Sequence, residues 1–144
     1  MEKIRWCLRK KDGIKFTKQE ITLSKSFLQR AKNDFKSIES QNEVRKVVIS
    51  YYSCYNALYS VLLRHGIKSG IHSCSIEMIK FFDDLKGFYK FMNELKENRI
   101  NTQYYLKEPS IIKTEKVKMF LQMCEIIIRE CNNDKIKRLK EMIK

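Results

Sequence analysis

Residues 51–59 of the chain read Tyr-Tyr-Ser-Cys-Tyr-Asn-Ala-Leu-Tyr and stand at the centre of its clearest helical pattern, which covers about residues 43–64. Apolar side chains recur there every three or four residues and form one continuous stripe. Because the stripe is wide and aromatic, we expect this helix to lie at the centre of the fold; alternatively, one edge of the stripe contacts a second subunit. The stripe comprises Val44, Val47, Val48, Tyr51, Tyr52, Tyr55, Leu58, Tyr59, Leu62 and Leu63.

Helical patterns also occur on both sides of this stretch, and residues that break helices are few. The chain has 144 residues with four Gly and one Pro, which argues against an all-β fold and favours long helices. We predict an all-α fold, in which a single domain over residues 1–144 forms an antiparallel bundle of four or five helices. The further helices are predicted over about 20–39, from His72, Ser73 or Ser75 onwards, and over about 88–97, 111–131 and 134–144.

Both ends of the chain are basic. Residues 1–18 show little regular alternation, and we predict a short extended N-terminal arm with a turn at Asp12-Gly13. Residues 134–144 are predicted to form a short basic C-terminal helix. Gly66 follows the central helix as a C-cap glycine should.

The composition favours a polyanionic partner. Lys and Arg number 30 against 17 acidic residues, which gives a net charge of +13. This excess favours RNA, DNA or acidic proteins, and the alternative is a Lys-rich surface that keeps the protein in solution. Because most of the basic residues are Lys, the case for reading specific bases is weak.

The cysteine pattern indicates a reducing environment. An odd number of cysteines without a close Cys-x-x-Cys pair argues against a disulfide framework and against a zinc site. We also find no apolar run of signal-peptide or membrane-spanning length, so we expect a cytoplasmic protein with no membrane segment, no metal and no cofactor. The cysteines are Cys7, Cys54, Cys74, Cys124 and Cys131.

Residues 98–105 form a polar segment that a helical core does not require. Arg99 presents five hydrogen-bond donors in a planar fork that suits phosphate. Tyr104, five residues further on, can point to nearly the same side of a helix. We therefore place the candidate phosphate-binding site here, with the auxiliary side chains Asn101, Gln103 and Tyr105.

Each of these residues also has a purely structural interpretation. Arg99 could form a surface salt bridge with Glu94 or Glu97, and Tyr104 and Tyr105 could cover the edge of the core.

Two further groups of residues are candidates for the site. His72 stands at a predicted helix start, where it is either an ordinary loop residue or a ligand-binding and proton-transfer group supplied from another helix. Four tyrosines of the central helix could stack bases, although tyrosines on so apolar a helix are more typical of a core. These tyrosines are Tyr51, Tyr52, Tyr55 and Tyr59.

Several of these segments, taken in order, resemble the HEPN domain family, and the chain looks closest to a small group of uncharacterised prokaryotic members. The similar segments span most of the chain. They are Trp6-Cys7-Leu8, residues 51–59, Gly66-Ile67-Lys68, His72-Ser73-Cys74-Ser75 and residues 99–105.

The resemblance implies a helical bundle, often a homodimer, that acts on RNA or nucleotides. Many catalytic members carry an Arg followed after four to six residues by a His, and two such motifs cleave RNA without metal across a dimer cleft. Other members pair with a minimal nucleotidyltransferase that acts as an antitoxin.

The chain departs from the family pattern at the catalytic position. Arg99 matches the family Arg, but Tyr104 stands where the His is expected, and a phenol is a poor base at neutral pH. A Tyr that the partner transferase modifies in some members corresponds here to Leu106, so Tyr105 does not match it.

We therefore predict a HEPN-like protein of RNA or nucleotide metabolism within a toxin–antitoxin or defence system. The preferred interpretation is a non-catalytic, homodimeric subunit that binds a nucleotidyltransferase or RNA. The alternative is a metal-independent ribonuclease toxin in which Arg99 acts with Tyr104 or with His72.

Overall fold

The predicted all-α fold is confirmed in the computed structural model, which describes residues 2–144. Seven α-helices and one two-stranded sheet occur in this range. The strands β1 (Lys15–Phe16) and β2 (Ile67–Lys68) are antiparallel. The helices are α1 (Glu2–Arg9), α2 (Ile21–Ser37), α3 (Glu43–Arg64), α4 (His72–Glu77), α5 (Tyr89–Tyr104), α6 (Thr114–Arg129) and α7 (Asn133–Ile143).

Helix α3 has the predicted bounds and the predicted central position. It begins after Asn42, whose side chain accepts a hydrogen bond from the backbone N–H of Arg45 at 2.9 Å. It ends before Gly66, whose φ of +74° is the left-handed conformation that favours glycine. Most of its apolar stripe is buried within the chain, so the stripe does not need a second subunit to cover it. The homodimer therefore stays a prediction.

Small polar side chains bring α2 and α3 into close antiparallel contact. The Ser24 hydroxyl, near the start of α2, donates to the Ser60 carbonyl near the end of α3 at 2.6 Å. The Ser53 hydroxyl donates to the Ala31 carbonyl at 2.8 Å. Both bonds are buried, and they fix the register of the pair because each hydroxyl has a specific carbonyl partner.

Helix α5 is longer than predicted, because residues 98–104 extend it rather than begin a new turn. It ends where Leu106 takes a positive φ of 53° and the Lys107 N–H donates to the Asn101 carbonyl at 3.0 Å. The chain then returns along α5, where the Asn98 side chain accepts from the Ser110 N–H at 3.2 Å.

The prediction of an extended arm over residues 1–18 is wrong. Residues 2–9 form α1, because Ile4 and Cys7 recur at helical spacing and are buried together against the bundle. A turn at Lys10–Gly13 follows, and β1 then pairs with β2. The seven basic residues of this stretch obscured the pattern, although the three that fall in α1, Lys3, Arg5 and Arg9, all lie on its exposed face.

The expectation that the cysteines are all reduced is also wrong. A disulfide joins Cys7 of α1 to Cys74 of α4 across a sequence separation of 67 residues. Cys54, Cys124 and Cys131 are free, and burial raises the pKa of the Cys54 and Cys124 thiols. The cytoplasmic location remains a prediction. In the range 2–144, no helix has the length and hydrophobicity needed to cross a membrane.

We expect the variant Cys7→Ser to be less stable than the wild type by about 3–4 kcal/mol, because the disulfide closes a long loop in the unfolded chain. Urea unfolding monitored by circular dichroism measures the difference. The control Cys131→Ser, which alters a free thiol, should unfold like the wild type. A reductant should lower the midpoint of the wild type and leave that of Cys7→Ser unchanged, and equal midpoints for the wild type with and without reductant would contradict the prediction.

Candidate functional site

The centre of the candidate site is Arg99 of α5, whose side chain is buried with a relative exposure of 8%. One terminal nitrogen donates to the Tyr52 hydroxyl at 3.2 Å and to Oε1 of Gln103 at 3.4 Å. The buried Nε has no hydrogen-bond partner among the described residues. The site therefore contains a buried cation with unused donor capacity.

The salt-bridge interpretation of Arg99 is wrong. Glu94 and Glu97 are both exposed. Oε1 of Glu94 lies 3.9 Å from Nζ of Lys90, so Glu94 pairs with Lys90 rather than with Arg99. Within the part of the chain that the structure describes, Arg99 forms no salt bridge with any carboxylate. Its positive charge is therefore not neutralised by the protein.

Aromatic rings surround the guanidinium in place of a carboxylate. Its Cζ lies 4.7 Å from the ring centroid of Tyr51, 5.4 Å from that of Tyr52 and 5.8 Å from that of Tyr104. Ring faces attract a cation and offset part of the cost of burying it, but they leave its net charge intact. An anion that reaches Arg99 would thus meet a full positive charge of reduced hydration.

His72, the first residue of α4, belongs to the same cluster. Its Nδ1 lies 2.8 Å from the Tyr51 hydroxyl, and its ring stacks on that of Tyr55 with centroids 4.0 Å apart. Burial lowers the pKa of His72, and the charges of Arg99 and Lys96 act in the same direction. The imidazole is therefore neutral at pH 7, where it can accept a proton.

The structure brings together four of the predicted site residues and separates two others. Gln103 lies one helical turn after Arg99, so both side chains are on the same face of α5, as is the ring of Tyr104. Asn101 lies on another face and lines a separate cleft against residues 107–116. Tyr105 follows the last residue of α5, and the described rings near the Arg99 guanidinium do not include its own. Asn101 and Tyr105 are therefore not part of the Arg99 cluster, since neighbouring helical positions diverge by about 100°.

The cluster adjoins a groove of about 620 Å³ that runs along α2 and α3. Tyr52, Asn56 and Tyr59 line it at helical spacing, and His72 closes one side. Phe27 of α2 meets Tyr59 edge to face, with ring centroids 5.2 Å apart. The groove therefore presents several aromatic surfaces next to the buried cation.

The tyrosines of α3 divide between core and groove. Tyr51 and Tyr55 are buried, as the core interpretation predicts, whereas Tyr52 and Tyr59 are half-buried at the groove. Burial raises the pKa of Tyr55 to about 12, and it raises the pKa of Tyr51 as well. These phenols therefore stay protonated and serve as hydrogen-bond partners.

Charged and polar side chains of the groove were missed by the sequence analysis. Arg30 and Asp34 come from α2, and Arg45 and Asn56 come from α3. Burial raises the pKa of Asp34, while the nearby Arg30 and Asn56 side chains act in the opposite direction. Asn56, a lone amide among the apolar residues of α3, was the one signal in the sequence that could have indicated this polar group. Which α2 side chains lie near it depends on helix packing and could not be predicted from the sequence.

Comparisons with known proteins add no assignment: no family model matches the chain, and neither does any curated protein or solved structure. The HEPN resemblance remains a prediction. Within residues 2–144, no group of three His, Cys, Asp or Glu side chains has an arrangement suited to a metal ion.

The lowered pKa of His72 predicts a pH-dependent stability. The unfolded chain binds a proton near pH 6.5 and the folded chain only at lower pH, so the free energy of unfolding should decrease as the pH falls below about 6.5. Urea midpoints at pH 7.5 and 5.5 measure this decrease. The variant His72→Gln should lose less stability than the wild type between pH 7.5 and pH 5.5. Some decrease should remain in the variant, because burial also lowers the pKa of His65. Equal decreases in the two proteins would contradict the prediction.

Proposed function

We propose that the protein is a non-catalytic binding protein for RNA or nucleotides, in which Arg99 binds a phosphate and the aromatic groove holds the attached base. The observation that supports this function best is the buried, unneutralised guanidinium of Arg99. A buried charge normally has a partner of opposite sign, because removing it from water is costly. A bound phosphate would supply that missing partner.

The chemistry of the groove supports a nucleotide rather than an anion alone. The Tyr52 hydroxyl accepts a hydrogen bond from Arg99, and the ring of the same residue lines the groove. A base stacked on Tyr52 would therefore lie next to the phosphate position. Stacking on aromatic side chains tolerates every base and is typical of proteins that bind single strands. The net charge of +13 would increase the rate of association with RNA.

The proposal also includes the biological setting that the HEPN resemblance implies. The setting is a toxin–antitoxin or defence system with a homodimeric HEPN-like protein and a minimal nucleotidyltransferase. The resemblance alone supports this part of the proposal, whereas the contacts of Arg99 support the binding of a phosphate ligand.

A second candidate function is metal-independent cleavage of RNA, which the position of His72 favours. A neutral imidazole beside a buried cation has the properties of a general base next to a phosphate-binding group. His72 would take the proton from a ribose 2′-hydroxyl, whose oxygen would attack the adjacent phosphorus and expel the 5′-oxygen of the next nucleotide. Tyr104 would have to protonate that leaving group, and its exposed ring lies near Arg99.

We expect Arg99→Met to weaken the binding of a fluorescently labelled single-stranded RNA by about 10- to 100-fold, because a charge-assisted contact to phosphate is lost. Methionine fills the space between the rings, whereas alanine would open a cavity. Stability should stay within about 1 kcal/mol, since the removed cation has no carboxylate partner. Fluorescence anisotropy at about 50 and 200 mM salt measures binding, which should weaken steeply with salt.

The matched control is Arg129→Met, which removes an exposed Arg of α6 with the same change in net charge. It should reduce RNA affinity only slightly. Equal losses in the two variants would show that net charge alone governs binding, and the absence of wild-type binding at the lower salt would refute the proposed function.

Cleavage assays distinguish the two candidate functions. Incubation of the purified protein with end-labelled RNA in the presence of EDTA should leave the RNA intact if the protein only binds. Products with 2′,3′-cyclic phosphate ends would support the ribonuclease instead. In that case His72→Gln should abolish cleavage without loss of RNA affinity, and Tyr104→Phe, which deletes only a hydroxyl, should lower the rate if Tyr104 is the acid.

A further inference from the structure

Two polar side chains occupy the groove between its aromatic surfaces. Asn56 of α3 is buried, with a relative exposure of 8%, and it lines the groove between Tyr52 and Tyr59. Asp34 of α2 lines the same groove, and Asn56 is close enough to favour the ionised form of its carboxyl and so to act on its pKa. An amide and a carboxylate thus line the groove together with the aromatic rings.

The carboxylate of Asp34 keeps acceptor capacity for a ligand. It forms no salt bridge in the described range, although Arg30 lies one helical turn earlier on α2. The guanidinium of Arg30 instead lies over the ring of Phe27, 5.6 Å from its centroid. An ionised carboxylate has two acceptor oxygens, and a carboxamide adds two N–H donors. Together the pair presents acceptors next to a donor.

Guanine is the RNA base whose edge complements this pattern. Its Watson–Crick edge carries two adjacent donors, N1–H and the 2-amino group, next to the acceptor O6. Adenine and cytosine place an unprotonated ring nitrogen at the position of N1–H, which a carboxylate would repel. Uracil has a single N–H between two carbonyl groups. Single-stranded RNA exposes these edges while its bases stack on aromatic side chains.

We propose that Asp34 and Asn56 form a guanine-reading subsite, in which the carboxylate accepts from N1–H and the 2-amino group and the Asn56 amide donates to O6. The proposal rests on the proposed nucleotide-binding function and deepens it. Tyr52 connects the two parts, because it lies one helical turn before Asn56 and binds Arg99 through its hydroxyl. A guanine nucleotide would then place its base at Asp34 and its phosphate towards Arg99.

Equilibrium titration of the full chain with GMP, AMP, CMP and UMP, followed by tyrosine or tryptophan fluorescence, tests the subsite. We expect GMP to bind about 5- to 100-fold more tightly than the other three, which is the discrimination that one bidentate contact provides. The variant Asp34→Asn should lose this preference by weakening GMP alone. The control Asp83→Asn, which alters a carboxylate that is 92% exposed, should keep the wild-type preference.

IMP supplies a test on the wild type that does not depend on the folding of a variant. It keeps N1–H and O6 but lacks the 2-amino group, so the wild type should bind it more weakly than GMP, and equal affinity for the two would contradict a contact to the 2-amino group. As a separate comparison, Asp34→Asn should bind GMP and IMP with more nearly equal affinity.

The results of this titration distinguish failure of the guanine subsite from failure of the proposed nucleotide-binding function. Equal affinity for all four nucleotides, or an equal loss for all four in Asp34→Asn, would overturn guanine reading and leave nucleotide binding intact. Failure of every nucleotide to bind would overturn both the subsite and the proposed function.

Discussion

The burial of α3 against α2, α5 and α6 is the constraint on which the rest of the structure depends. Its apolar stripe is the largest in the chain, and burying it supplies much of the favourable free energy of folding. Buried serine hydroxyls set the register of α2 against α3. Once this register is set, Phe27 meets Tyr59, Asp34 and Asn56 face the same groove, and the edge of the stripe becomes one wall of it.

The same packing gives Arg99 its unusual surroundings. Helix α5 lies against α3, so the side chain of Arg99 enters the bundle next to Tyr51 and Tyr52 rather than pointing into water. Aromatic faces and two hydrogen bonds compensate only partly for lost hydration, because neither adds a negative charge. Within the described residues, Arg99 is therefore a buried cation whose charge has no opposite partner.

The position of His72 depends on the contacts that hold α4 in place. This helix has only six residues, too few for stability on its own, so tertiary contacts must hold it. The disulfide from Cys74 to α1 lies two residues after His72, and Ser75 shares a hydrogen bond of 2.9 Å with the Tyr55 hydroxyl. These contacts fix the imidazole against Tyr55 and Tyr51. The N-terminal helix thus supports the site although it contributes no side chain to it.

The sequence by itself determined the helical class, the bounds of α3 and the Gly66 cap, and it indicated Arg99 as a candidate site residue. These features depend on local periodicity, on backbone conformation or on the chemistry of one side chain, which neighbouring residues express directly. It did not reveal α1, whose short pattern is hidden among basic residues, or the pairing of Cys7 with Cys74 across 67 positions. It also suggested Asn101 and Tyr105 as partners of Arg99, because proximity in sequence does not specify a shared helical face over so few residues. Only the tertiary structure decided that Arg99 is buried without a carboxylate, that His72 joins it, and that Asp34 and Asn56 share a groove. Each of these facts depends on contacts between helices that are distant in sequence, and side-chain environment is a property of packing rather than of local pattern.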